Sequence, residues 1–137
     1  MSDSAGVTYR VPDAFAERPP DGLPYRRWEA DRGLSGYLWV GLNRSAEHWI
    51  TLRRVPSLGM HEMSECVDSV AGREVLIQAW RTAGGIFERG RRRDRYDVFA
   101  LVPIEPGLTL TITGGAADRR TQDALLAVVR TVAVSRP

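Results

Sequence analysis

Leu108-Thr109-Leu110-Thr111-Ile112-Thr113 places an apolar residue at every second position and a threonine at each of the others. Successive side chains of a strand point to opposite faces, so this stretch buries one face and shows the other to water. Upstream, Tyr96, Val98, Ala100 and Val102 share one face of a preceding run and Asp97, Phe99 and Leu101 the other, with Pro106-Gly107 as the turn between the two runs. Together they read as an antiparallel hairpin. Downstream of Gly114-Gly115, Asp118 has the chemistry of an N-cap, and Leu125, Val128, Val129 and Val132 recur at i, i+3, i+4 and i+7. A helix with that stripe closes one face of a sheet.

The rest of the chain supplies further strands. Val7, Tyr9 and Val11 alternate with polar residues in a short strand that Pro12-Asp13 ends, and a loop with a turn at 19–22 leads to a second strand, Tyr25 to Ala30. A connection over 31–36 leads to Tyr37 to Leu42, which is apolar on both faces and is expected to lie centrally. Trp49 to Val55 alternates as a fourth strand, whereas Val55 to Ser69 is irregular and reads as a long connection. Glu74 to Arg81 is a fifth strand facing inward through Val75, Ile77 and Ala79, and Glu88 to Arg95 has the composition of an exposed hairpin end. Consecutive strands without intervening helices favour antiparallel pairing. The expected class is α+β: a single antiparallel sheet of six or seven strands with the C-terminal helix packed on one face, in one domain spanning 1–137 with 1–6 as a flexible lead.

At 137 residues the chain suffices for one ordinary core. Its basic residues are all arginine, 19 against 17 acids, so the net charge is only +2, too mild to imply a polyanionic partner. No apolar run approaches the roughly 20 residues of a membrane span. Residues 1–6 lack the features of a secretory signal, so the sequence as written reads as cytoplasmic; removal of a signal peptide would make it periplasmic or secreted. The single cysteine excludes an internal disulfide.

Four groups of residues have site chemistry. Met60, His61, Met63 and Cys66 gather two thioethers, an imidazole and a thiol of the type that suits copper(I), although methionine and cysteine ordinarily serve as apolar filler and the spacing matches no zinc pattern. Cys66 with His61 or His48 offers a nucleophile and base, but no nucleophile elbow, paired zinc histidines or P-loop is present. Arg91, Arg92 and Arg93, within the run Arg89 to Arg95, could grip an anion, against the ordinary reading of a solvated hairpin tip. Gly114-Gly115 with Arg119 and Arg120 offers another anion site, in competition with Asp118 for the same amides. Trp28, Trp49, Arg53 and Arg54, with Arg26 and Arg27, form the aromatic and arginine inventory that protein interfaces favour.

The opening strand with Val11-Pro12-Asp13-Ala14-Phe15, the Gly72-Arg73 turn into a long strand, the hairpin of Asp97 to Thr113 and the helix Asp118 to Val132 running into Val134-Ser135 resemble the Mog1/PsbP-like group of domains. That group includes DcrB-like proteins and the chaperones of type VI secretion effectors. Pro56 to Glu65 departs from those chaperones, which carry a helix there. The resemblance implies a binding role as adaptor, chaperone or assembly factor, and carries no site residue onto this chain. The leading expectation is therefore a non-enzymatic module that binds a protein partner or itself through an uncovered sheet face, without a cofactor. The alternatives are a copper-binding protein using the Met60 to Cys66 segment, and then an enzyme using Cys66.

Overall fold

In chain order the elements are β1 (Val7–Thr8), β2 (Phe15–Glu17), β3 (Tyr25–Ala30), β4 (Gly36–Arg44), a 3₁₀ turn (Trp49–Leu52), β5 (Met60–Val70), β6 (Arg73–Glu88), β7 (Arg91–Glu105), β8 (Leu108–Ala116), α1 (Arg119–Arg130) and β9 (Ala133–Val134). The computed structural model describes residues 6–18, 25–30, 36–88 and 90–135; the expected lead at 1–5, the turn at 19–22, the connection at 31–35 and Arg89 lie outside them. Seven strands form an antiparallel sheet in the order β2-β3-β4-β8-β7-β6-β5, and β1 pairs separately with β9. The α+β class with a C-terminal helix on one face is thus observed. Among the described residues, no helix is long and apolar enough to cross a membrane.

The β7–β8 hairpin and α1 follow the pattern in the sequence on the helix side, but the threonine face of β8 expected to meet water is largely covered, with Thr109 5% exposed and Thr111 and Thr113 half-buried. Leu110 and Ile112 stand opposite Val102 and Ala100 of β7 and opposite Leu42 and Val40 of β4, and all six face the helix. Leu125, Val128, Val129 and Val132 complete that core, each at most 3% exposed. At the start of α1 the Asp118 carboxylate accepts a hydrogen bond from the Thr121 amide at 2.7 Å. This bond holds the Asp118 carboxyl below the usual carboxylate range. Asp118→Ala is expected to lower stability by about 1 kcal/mol in urea denaturation at neutral pH. Because the folded-state pKa is the depressed one, the stabilisation is fully present above the unfolded carboxyl value of about 3.9 and is lost as pH falls through the folded value. The gap between wild type and variant should close in acid; a constant gap down to pH ~2 would remove the carboxylate from the account.

Three expectations are corrected. Trp49 to Val55 is not a strand: Trp49, Ile50 and Leu52 turn in a 3₁₀ segment and pack on Leu76, Phe99 and Leu101, on the sheet face away from α1. Val55 to Ser69 is not all connection: Met60–Val70 is the edge strand β5, paired with β6. It eludes pattern reading because an edge strand wetted on both sides needs no apolar alternation. Tyr37 to Leu42 does form a strand, but the centre of the sheet is β8, and β4 lies beside it.

Candidate functional site

The face of the sheet away from the helix is built in rows. Register aligns Glu29, Tyr37, Gly115, Asp97 and Trp80 across β3, β4, β8, β7 and β6. The next row is Arg27, Trp39, Thr113, Phe99, Gln78 and Glu65, and the next Tyr25, Gly41, Thr111, Leu101, Leu76 and Val67. Directly paired residues share a face, so these side chains form one surface.

Part of that surface is covered by the chain itself. Residues 45–59 cross from β4 over β8, β7 and β6 to reach β5 at the far edge. The crossing is tied at both ends: the Ser45 amide donates to the Gly107 carbonyl at 3.0 Å, and the Ala83 amide to the Gly59 carbonyl at 2.9 Å. In the middle, fully buried Gln78 accepts from the Arg54 amide and donates to the Arg54 carbonyl, each at 2.9 Å, and also donates to Glu65 at 2.8 Å. A buried amide that fixes a loop backbone from both sides replaces the ladder partners that the loop lacks. It also holds the Arg54 guanidinium over the Phe99 ring, 4.8 Å from its centre.

The covered half contains a buried polar group. Asp97, 2% exposed, accepts from Arg95 Nε at 2.6 Å and from the Thr82 hydroxyl, which in turn accepts from Trp80 Nε1 at 3.1 Å. From the opposite side Gln122 of α1 donates to the Asp97 and Trp80 carbonyls at 3.0 and 3.2 Å. Glycine at 115 is required here: a Cβ would fall 2.7 Å from Tyr37 Cε1 and 3.0 Å from both Arg95 Cδ and Asp97 Oδ1. Burial pushes the Tyr37 phenol above its ordinary value, while the charges of Arg95 and Arg54 pull it back.

The rest of this face, around Trp39 on β3 and β4, is left open by the crossing. Here Trp39 is 39% exposed, stacked on Tyr25 with ring centres 5.0 Å apart and flanked by Tyr37 at 5.4 Å.

The expected interface set is therefore split. Trp49, Arg53 and Arg54 all ride on the crossing, Trp49 half-buried against Leu76, Phe99 and Leu101, and Arg53 exposed and 3.7 Å from Glu65. Trp28 is a correction: it is 2% exposed in the helix-side core, edge-on to Tyr9. Trp39 takes its place at the surface. Sequence could not separate them, because each tryptophan sits in a strand with bulky or charged residues on both faces; the pairing of Trp28 with buried Leu38 decides the matter.

Met60, His61, Met63 and Cys66 are corrected as a cluster, since the expected loop is a strand that divides them between two faces. Met60 lies beside Trp80 and Thr82, and Met63 Sδ lies 4.0 Å from Gln78 Nε2, both away from the helix. His61 pairs with Arg81 and Cys66 with Ile77, both on the helix side. Among the described residues no three His, Cys, Asp or Glu side chains gather to hold a metal ion. Cys66 is exposed, not apolar filler. Arg91, Arg92 and Arg93 are exposed beside the β6–β7 turn as expected, with the Arg92 guanidinium 5.6 Å from the Phe87 ring centre. Asp97, missed as a site residue, had a signal in the sequence: it is the one acid inside the apolar run Tyr96 to Val102.

No protein-family model matches the chain and no curated protein is significantly similar to it in sequence, so the geometry of this face carries the functional argument.

Proposed function

We propose that the chain is a non-enzymatic binding module that docks a protein partner on the open half of the sheet, through Trp39 and the Tyr25 ring stacked on it. The observation that carries this reading is Trp39, exposed on the sheet and already stacked on Tyr25. Rings already held against each other lose little rotamer freedom on binding, and Trp and Tyr are the residues in which interface energy concentrates. The reading agrees with the adaptor or chaperone role implied by the Mog1/PsbP-like resemblance.

Trp39→Ala tests it. In affinity capture followed by titration of the captured partner, the variant is expected to bind at least about tenfold more weakly, with circular dichroism and melting temperature close to wild type. Equal affinity of wild type and variant would remove this surface from the function.

A further inference from the structure

The crossing does not lie flat on the sheet. Where it passes over Tyr37, Asp97 and Trp80 it leaves a cleft of about 540 Å³, within the size range of small-molecule sites. A second hollow of about 360 Å³ adjoins it, and Tyr37 and Arg95 line both. One wall is apolar, formed by Leu52, Val55 and Met60 with Trp80. The floor and rim are polar, formed by Tyr37, Arg95 and Asp97 with Arg54.

Counting donors and acceptors shows what this cleft is short of. Both Asp97 oxygens are engaged, one by Arg95 and the other by Thr82. Arg95 uses Nε on Asp97 and Nη1 on the Gly85 carbonyl at 3.3 Å, which leaves Nη2 without a partner among the described residues. Over the same residues the Tyr37 hydroxyl makes no hydrogen bond and Arg54 has no carboxylate partner; its guanidinium rests on Phe99. Each of these three groups can donate and two of them are cationic, while the Tyr37 hydroxyl can also accept. Three arginines, Arg53, Arg54 and Arg95, line the cleft against the single carboxylate of Asp97, so the charge disfavours a cationic ligand.

The space is also pre-formed. Gly115 admits Tyr37 and Arg95, and a Cβ at Gly85 would fall 2.9 Å from Arg95 Cβ. Gln78 fixes the backbone from which Arg54 reaches in. A site with its polar groups already placed spends little binding free energy on ordering them.

We infer that this cleft binds a small amphipathic carboxylate, its head group taken by Arg54, Arg95 Nη2 and the Tyr37 hydroxyl, and its apolar body lying on Trp80, Leu52 and Met60. The guanidinium fork suits a carboxylate, and the apolar wall separates this ligand class from inorganic anions, which have no apolar body to lay against it.

The test is calorimetric titration of the purified protein with octanoate, benzoate and phenylacetate, with 1-octanol as the uncharged control. Saturable binding of at least one acid is expected, with octanol at least about tenfold weaker than octanoate if octanoate is the acid that binds. Arg54→Gln, a change at an exposed side chain, should weaken that acid about tenfold, whereas Arg91→Gln, which removes the same charge at the β6–β7 turn, should not. The inference is overturned if none of the three acids binds saturably up to millimolar concentration, if octanol binds as well as octanoate, or if Arg54→Gln and Arg91→Gln have equal effects.

Discussion

Leu125→Ala is expected to lower stability by about 3–5 kcal/mol, near the top of the range for truncation of a buried leucine. Leu125 is fully buried and α1 meets the central strand through it: a Cβ on Gly114 would lie 3.1 Å from Leu125 Cδ1. The helix is thus seated on bare backbone of β8. Its neighbours cannot move in to fill the vacated space, because β8 is held on both sides by β4 and β7, and Gly114 has no side chain to extend. A cavity that stays open costs the most. Against a total stability of about 5–15 kcal/mol, the melting temperature should fall by on the order of 10–20 °C. Leu125→Met, which keeps the volume, should cost less than about 1.5 kcal/mol. If Leu125→Ala costs under about 1 kcal/mol in urea denaturation, α1 is not docked on Gly114 in solution.

The elements that the sequence describes well are those whose local chemistry and tertiary environment agree. In β8 the alternation sends Leu110 and Ile112 to the helix side, although the threonine side is covered as well, and in α1 the Asp118 cap and the 125–132 stripe define both the start and the buried side. Disagreement produces the errors. Trp49-Ile50-Thr51-Leu52 alternates like a strand but is pressed onto Leu76, Phe99 and Leu101 as a 3₁₀ turn, with no strand partner to pair with. Met60–Val70 makes the converse case: its ladder to β6 is real, yet mostly polar residues occupy both faces because it is an edge. Its charges are placed accordingly. Glu62, in a left-handed backbone at φ 56° within a break in the ladder, and Asp68 reach Arg119 and Arg130 of the helix, which disrupts the edge as a template for another strand.

The candidate site was less legible than the fold because its two halves depend on where residues 45–59 run, and a crossing over three strands leaves no periodic trace. Trp49, Arg53 and Arg54 were readable as a group because they are adjacent in sequence; Trp39, Tyr25 and Tyr37 come together only through the β3–β4 register. The cleft adds a third kind of difficulty. Gly85 and Gly115 both lie in strands, where the absence of a Cβ makes room for Arg95. Glycine inside a strand marks a close approach.

Asp97→Ala is expected to cost about 2–4 kcal/mol, less than a fully buried ion pair because the Arg95 side chain retains 31% exposure and some hydration. The loss has two parts. Arg95 Nε, placed 2.6 Å from the carboxylate, is left without its acceptor, and the Thr82 hydroxyl loses the acceptor to which it donates. Leaving such donors unsatisfied costs more than the net gain from forming the bonds. Asp97→Asn keeps the shape and one acceptor oxygen, so it should cost about half as much, and the difference isolates the charge. Arg95→Met with Asp97→Ala completes a double-mutant cycle, in which a coupling of about 1–3 kcal/mol is expected. Zero coupling would mean that the two side chains do not meet in solution. Because Asp97 lies on the row between Tyr37 and Trp80 and Arg95 lines the same cleft, the same variants should also disturb carboxylate binding there, while leaving the Trp39–Tyr25 stack on β3 and β4 in place. Loss of partner binding in a folded Asp97→Asn protein would therefore place the docking surface over the cleft and not on the open half of the sheet.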